Sequence, residues 1–514
     1  MRSALALVLL VGFFVLGLAL TAFLVAVSVW RFRIGDFQGG GWVGCFAAAI
    51  LFPLLWAVVR AVFARPEPSG VPMTRATHPR LWRHVDELAG IAGTRSPDDL
   101  RLVPDVNARV WERRGTRYLE LGVPLVAGMS VGELRSVLAH ELGHYGGGHT
   151  RESAVRFRAK LALELAVRQG DFMRLLYGWA RLYSLVVAAE SRDHERFADE
   201  VAVAAAGQEA ARRALLRSGP VAVAWEDYLR WYVALAVVAG RTPPLLAGFR
   251  AYLAHPRRVH DLRALEPVMA ERESASVFDS HPPVRERVAA MAAMGAAGSG
   301  GRAARAADQR AAGPVGDRVA GPAVADDDAA GPVAATGRAA ADAVPVDGRP
   351  AWELLDGTPD EAVAGLLEVQ GPPITWEELA PLAGPVLVRR YAAALWHAGR
   401  VSKAGTTLAG VLTCLEQGGL HRLTGRPVDA SLTAEQVHEA AVESVTELLA
   451  CAVADQLVTA GRAVLELNWG GGFTLRLADG AAVYPDDLVA PAVRDPARVV
   501  ELRVRLRAIG VDGL

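Results

Sequence analysis

The chain is 514 residues long, with 55 Lys and Arg against 56 Asp and Glu and 52% hydrophobic residues. That length exceeds one domain of ordinary size, and a net charge of -1 without a basic stripe of interleaved aromatics gives no argument for nucleic-acid binding, so no nucleic-acid partner is expected. The three cysteines, Cys45, Cys414 and Cys451, lie far apart; they exclude a thiolate metal cluster and a disulfide framework and fit a reducing cytoplasm.

The N-terminus carries no charge from Ser3 to Trp30, and a second charge-free run covers Phe37 to Val59. Each exceeds the roughly 20 residues that cross a bilayer, and the first is too long for the apolar core of a cleaved signal peptide. Two spanning helices over residues 1–65 are expected, with the lipid bilayer as a partner. Arg2, Arg60, Arg65, Arg75 and Arg80 flank the pair on the outside of the sequence, against Arg31 and Arg33 between the spans. That balance places both ends of the hairpin in the cytoplasm.

Next comes His140-Glu141-Leu142-Gly143-His144. On a helix, residues four apart share a face, so His140 and His144 can reach one metal ion, with Glu141 beside them to take a proton from its bound water. The helix is well signalled: Ser130 and Glu133 form a capping box, Leu134, Val137, Leu138 and Leu142 an apolar stripe, and Gly146 to Gly148 a stop. His149 falls one residue short of the third His of an HExxHxxGxxH site and reads as a polar helix-end residue. From Arg151 to Glu190 charges interrupt every apolar run, so no further span is expected, and Leu175, Tyr177, Trp179 and Tyr183 read as core.

A third ligand is available in Glu190-Ser191-Arg192-Asp193-His194-Glu195-Arg196-Phe197-Ala198-Asp199. Glu195 can close the site and Asp199, one turn on, can accept the free ring N–H of a ligating His; by spacing alone, His194 and Glu190 remain rivals. Three ligands with one open position describe a catalytic site. Trp225, Tyr228, Trp231, Tyr232, Phe249 and Tyr252 then give an aromatic-rich stretch expected as core, and Ser280-His281-Pro282-Pro283-Val284-Arg285-Glu286-Arg287 a proline-stiffened entry into a helix.

HELGH, SRDHERFAD and SHPPVRER, in this order, resemble the HtpX and CAAX prenyl endopeptidase family of membrane zinc metalloproteases. The resemblance implies a mainly α fold with a small edge sheet, in which one zinc per chain is held by His140, His144 and Glu195. It gives Glu141 the role of general base, Asp199 that of supporting a ligand, and makes His281 and Arg287 candidates to hold the oxyanion or the substrate backbone. Asn107-Ala108 is similar to the family's edge-strand pair that binds extended substrate, although Arg109 stands where an apolar or aromatic residue is usual. The implied function is hydrolysis of polypeptide substrates, misfolded or membrane-derived, at a bacterial cell membrane. A catalytically silent or sensor-type relative is the alternative, against which the retention of Glu141 argues.

A zincin-type metalloprotease domain is expected over residues 66–294. Residues 295–350 contain no Leu, Ile, Phe, Tyr or Trp and read as a disordered Ala/Gly/Pro-rich linker. Folded composition returns over 351–514, a small α+β domain of no recognised motif. Thr375 with Glu378 and Thr433 with Gln436 cap helices there. Ala463 to Trp469, Phe473 to Ala478 and Ala481 to Tyr484 read as strands, and Asp495-Pro496 starts a last helix that Gly510 stops.

Overall fold

The computed structural model describes residues 2–63, 67–146, 192, 194–272, 281–294, 347–357, 359–424 and 433–513. It is mostly helical with two small sheets. His149, Glu190, the interval 151–190 and residues 295–346 of the expected linker lie outside the described residues. The chain forms two compact units, residues 1–220 with 265–357 and residues 221–264 with 358–514, so the units cut the chain at other places than composition does.

The first unit opens on two long helices, α1 (Arg2–Arg33) and α2 (Phe37–Phe63). They pack along each other, because Gly40 and Gly44 leave room for Phe32 and the Ser28 hydroxyl, which donates to the Gly40 carbonyl at 2.7 Å. Their outward side chains include Val8, Phe23, Trp42 and Phe52. By length and composition the segment Val15–Arg33 can cross a membrane, and Phe37–Phe52 is apolar but shorter.

A four-stranded sheet follows, ordered β1 (Val71–Pro72), β2 (Asp99–Val103), β4 (Thr116–Gly122), β3 (Ala108–Arg113). β2 and β4 are parallel, and β3 turns back on β4 through Arg114 and Gly115, both at positive φ, the two-residue turn whose twist suits a hairpin. β3 is therefore the sheet's edge, paired among the described residues with β4 alone. α3 (Pro79–Ile91), with proline at its start, buries Leu81, Trp82, Val85 and Leu88 and packs on α5 (Val131–Gly146). α5 follows the short α4 (Val123–Gly128) and is nearly surrounded: Leu134, Leu138, Ala139 and Leu142 are fully buried. Its capping box forms as the sequence predicts, Glu133 accepting from the Ser130 amide at 2.7 Å and donating its own amide to the Ser130 hydroxyl at 3.3 Å. The unit continues with the helix α6 over 194–206 and the first part of α7 (Gln208–Tyr228), whose residues from 221 on belong to the second unit, and includes the helix over 284–294. The last four residues of the expected linker, 347–350, are described: Pro350 bridges antiparallel to Ser130, because the first amides of α5 need acceptors.

In the second unit, α8 (Ala234–Ala239), α9 (Leu245–Ala254) and α10 (Pro256–Arg272, shared with the first unit's chain) join α12 (Pro359–Leu366), α13 (Trp376–Val401), α14 (Leu408–Glu416), α15 (Ala434–Thr459), α16 (Pro485–Arg494) and α17 (Val499–Ala508), with the helix over 284–294 counted as α11. Both predicted capping boxes, at Thr375 and Thr433, are present. The strands β5 (Ala463–Leu467), β6 (Phe473–Leu477) and β7 (Ala482–Val483) make an antiparallel sheet. An aromatic cluster holds this unit together: Tyr228 meets Phe249 and Trp376, Tyr232 stacks on Trp469 at 4.9 Å, and a Cβ on Gly248 would collide with Trp376. Of these aromatics Trp225, Tyr228, Tyr232, Phe249 and Tyr252 are core, as expected, while Trp231 is half-buried, and the cluster's further partners come from beyond residue 358.

Two carboxyls, Glu447 on α15 and Asp486 on α16, are largely withdrawn from solvent. Burial pushes Glu447 up to about 7, Asp486, Asp227 and Glu443 adding to it and Arg230 opposing; burial likewise pushes Asp486 up to about 6, with Asp487 adding and Arg257 and Arg258 opposing. Both values lie above those of an unfolded chain, about 4. The unfolded state therefore releases these protons first, and stability is lost as pH rises from about 4 towards 7. The second unit is expected to melt at a lower temperature near pH 8 than near pH 5.5, and Glu447→Gln to narrow the gap. Equal melting temperatures for the wild type at both pH values would refute this.

Candidate metal centre

His140 and His144 face one way from α5 because they are one turn apart. The helix α6 lies against that turn, and the close approach is made possible by Gly143: a Cβ there would stand 3.0 Å from the Ala198 Cα. Glu195 and Asp199 on α6 are thereby delivered to the two imidazoles. His140 Nε2 is 3.5 Å and His144 Nε2 3.8 Å from the two Glu195 oxygens, while His140 Nδ1 meets Asp199 Oδ1 at 3.0 Å. Of the sequence's rival third ligands, Glu195 is in place; the donor atoms of His140, His144, Glu195 and His281 lie within 4.8 Å of one another, a group that could hold a metal ion.

The entry to α11 supplies the rest. His281 Nδ1 is 2.7 Å from Glu195 Oε2, and Arg287 grips Asp199 with Nη2 to Oδ1 at 2.6 Å and Nε to Oδ2 at 3.2 Å. Arg287 also lies 3.2 Å from His140 Nδ1. The sequence placed Arg287 as a candidate for the oxyanion; in the structure two of its nitrogens are engaged by a carboxylate that is 2% exposed. A buried carboxylate takes a guanidinium fork as its natural counterion.

The charges follow from these contacts. Burial pushes His144 down to about 3, with His140 adding, which keeps its ring neutral and its lone pair available to a metal. Burial raises the Glu141 carboxyl, Glu195 adding and the nearby His140 and His281 opposing. For Asp199 burial works upward, but hydrogen bonds from His140 and Arg287 outweigh it and hold the group below its usual value. Two imidazoles on one helical turn, the His144 ring held neutral, the buried carboxylates of Glu195 and Asp199 and the Glu141 carboxyl of raised proton affinity are a donor set that fits a divalent ion of the zinc type and a base beside it.

Asn107 and Ala108 lie at the start of the edge strand, the Asn107 carbonyl accepting from the Gly122 amide at 2.8 Å. Arg109, the departure from the resembled pattern, pairs with the buried Glu120 at 2.6 Å, which also accepts from the Trp111 indole at 3.1 Å. Tyr145, one residue past His144, donates to the Trp111 carbonyl at 2.7 Å and so ties the metal-site helix to the edge strand. Sequence reasoning missed Gly143, Tyr145 and Glu120; the only signal of Tyr145 was its position after the motif.

Residues 56–294 match the family model described as Peptidase family M48. This segment belongs to peptidase family M48. The chain is also 29% identical over 293 residues to a protein named Protease HtpX homolog from Acidiphilium cryptum (strain JF-5), covering 53% of this chain and 92% of the relative. No solved structure matches. The M48 segment makes the chain a metalloprotease, an enzyme that hydrolyses peptide bonds. It begins inside α2 and ends with α11, so it contains every side chain of the centre described above.

Proposed function

We propose that the chain is a membrane-anchored zinc endopeptidase that cleaves extended segments of misfolded or membrane-derived polypeptides. The observation that carries this reading is the convergence of His140, His144 and Glu195 on one point beside Glu141. These three residues would hold one zinc ion per chain, and the ion, when bound, supplies an electrophile for the scissile carbonyl and acidifies a water.

Glu141 takes the proton of the attacking water and returns it to the departing amine; burial, by raising its proton affinity, suits it to that exchange. Asp199 accepts from His140 Nδ1, which fixes the ring so that Nε2 is the metal-facing nitrogen, and Arg287 keeps Asp199 ionised and aligned. His281, anchored through Nδ1 to Glu195, is the donor proposed for the developing oxyanion. Extended substrate pairs with β3 at Asn107 and Ala108, adding a strand to the sheet's edge. Expected for the purified protein are one zinc per chain, loss of casein cleavage on chelation and its return with zinc. Cleavage unaffected by complete metal removal would overturn the reading.

The anchor proposed is the hairpin of α1 and α2, crossing twice with the peptidase on the cytoplasmic side, which the arginine balance and the outward apolar side chains of both helices support. In a Cys45→Ser background, Ile34→Cys in the exposed turn between the helices is expected to react with an impermeant maleimide from outside the cell. Labelling from the cytoplasmic side alone would invert the orientation.

A further inference from the structure

A helix begins with amides that have no partner within it. In α5, the helix of His140, Glu141 and His144, two of these amides are satisfied by a segment more than 200 residues away in sequence. The Val131 amide donates to the Arg349 carbonyl at 2.7 Å and the Gly132 amide to the Asp347 carbonyl at 2.9 Å. The Ala351 amide returns a bond to the Met129 carbonyl at 2.9 Å, and Ser130 and Pro350 form the antiparallel bridge between the two runs. Gly132 allows this approach, since a Cβ there would stand 3.2 Å from the Asp347 oxygen.

Side chains then fasten the segment. Ala351 is fully buried, Leu354 and Leu355 nearly so, in and just after a 3-10 turn over Ala351–Leu354 that packs on α4 and α5. Asp356 pairs with Arg80 at 2.6 Å, and Arg349 folds back on Asp347 at 2.7 Å. The segment itself lies beyond residue 294, where the M48 match stops.

We infer that residues 347–357 are a positioning strap of the peptidase, a part of the working enzyme that lies outside its family-matched segment and fixes the metal-site helix by its N-terminus. The inference rests on the zinc site proposed above. Val131 and His140 are nine residues apart, roughly 14 Å along a stiff helix. A displacement at the N-terminus is therefore carried to the ligands, where about 1 Å of misplacement can cost about a hundredfold in rate.

The test uses the full-length chain with Val131→Pro and Val131→Ala. Val131 is the first residue of α5, the helical position that proline tolerates best, so proline removes the N–H bonded to Arg349 and places a ring carbon against its carbonyl without breaking the helix. Alanine keeps the N–H and serves as the conservative variant. For Val131→Pro the expected result is a zinc affinity lower by about tenfold and a kcat lower by about ten- to a hundredfold with KM within about twofold, together with loss of hydrogen-exchange protection at the Gly132 amide. Val131→Ala is expected to keep affinity, kcat and protection close to wild type.

Wild-type zinc affinity and kcat in a Val131→Pro protein whose Gly132 amide has become unprotected would overturn the inference. So would rapid exchange of the Gly132 and Ala351 amides in the unmodified protein, a measurement that needs no variant and remains decisive if Val131→Pro does not fold. A wild-type protein that binds no zinc but protects both amides would instead overturn the zinc reading and leave the strap in place.

Discussion

Glu141→Gln is expected to lower kcat by about a thousandfold while leaving one zinc per chain. The substitution keeps shape and removes only the ability to take a proton. Glu141 lies on α5 between His140 and His144 but is not one of the four residues whose donor atoms converge, so metal binding does not depend on it. Substitution of a ligand, His144→Ala for example, should behave differently, losing zinc and activity together. The comparison separates the protease from the silent or sensor-type relative. If wild type and Glu141→Gln bind zinc equally and neither cleaves any peptide of a broad library, the fold is serving as a binding module.

The second large effect is expected at Asp199, which is 2% exposed and sits between His140 Nδ1 and the Arg287 guanidinium. Asp199→Ala strands Arg287, itself 11% exposed in its side chain, as an uncompensated buried cation. Removing one partner of a buried pair costs about 3–5 kcal/mol. It also deprives His140 of the acceptor that sets its tautomer, which should weaken zinc binding by about ten- to a hundredfold. The double variant Asp199→Ala with Arg287→Met separates the two consequences: it should recover much of the stability and none of the zinc affinity. Denaturant unfolding and a zinc titration on the single and double variants measure both. Wild-type zinc affinity in Asp199→Ala would show that the carboxylate serves the fold and not the metal site.

The pattern of these residues was legible in the sequence to different depths. The spacing of His140 and His144 and the capping box at Ser130 and Glu133 are local, and both stand in the structure as the sequence predicts. The capping boxes at Thr375 and Thr433 and the three C-terminal strands are local too, and were equally plain. That Glu195 faces the two imidazoles was not, because spacing along a helix says which residues share a face and not which face meets another helix. Arg287 was visible as a cation near a functional motif, but its engagement by Asp199 depends on two helices 88 residues apart in the chain meeting at one point.

What the sequence by itself determined is therefore the chemistry on offer: two imidazoles and a carboxylate on one turn, an acidic pair on a later helix, and two long apolar segments ahead of them. What only the tertiary structure decided is which of these groups meet. Gly143 lets α6 close on α5, Tyr145 ties that helix to the edge strand, and residues 347–351 supply the acceptors its first amides need. The aromatics at 225–252 are likewise core only in company with Trp376 and Trp469. The reason is physical: propensity, capping and periodicity act over a few residues and leave a record in the string. Contacts between distant segments are set by shape and by the satisfaction of buried polar groups, which no local pattern encodes.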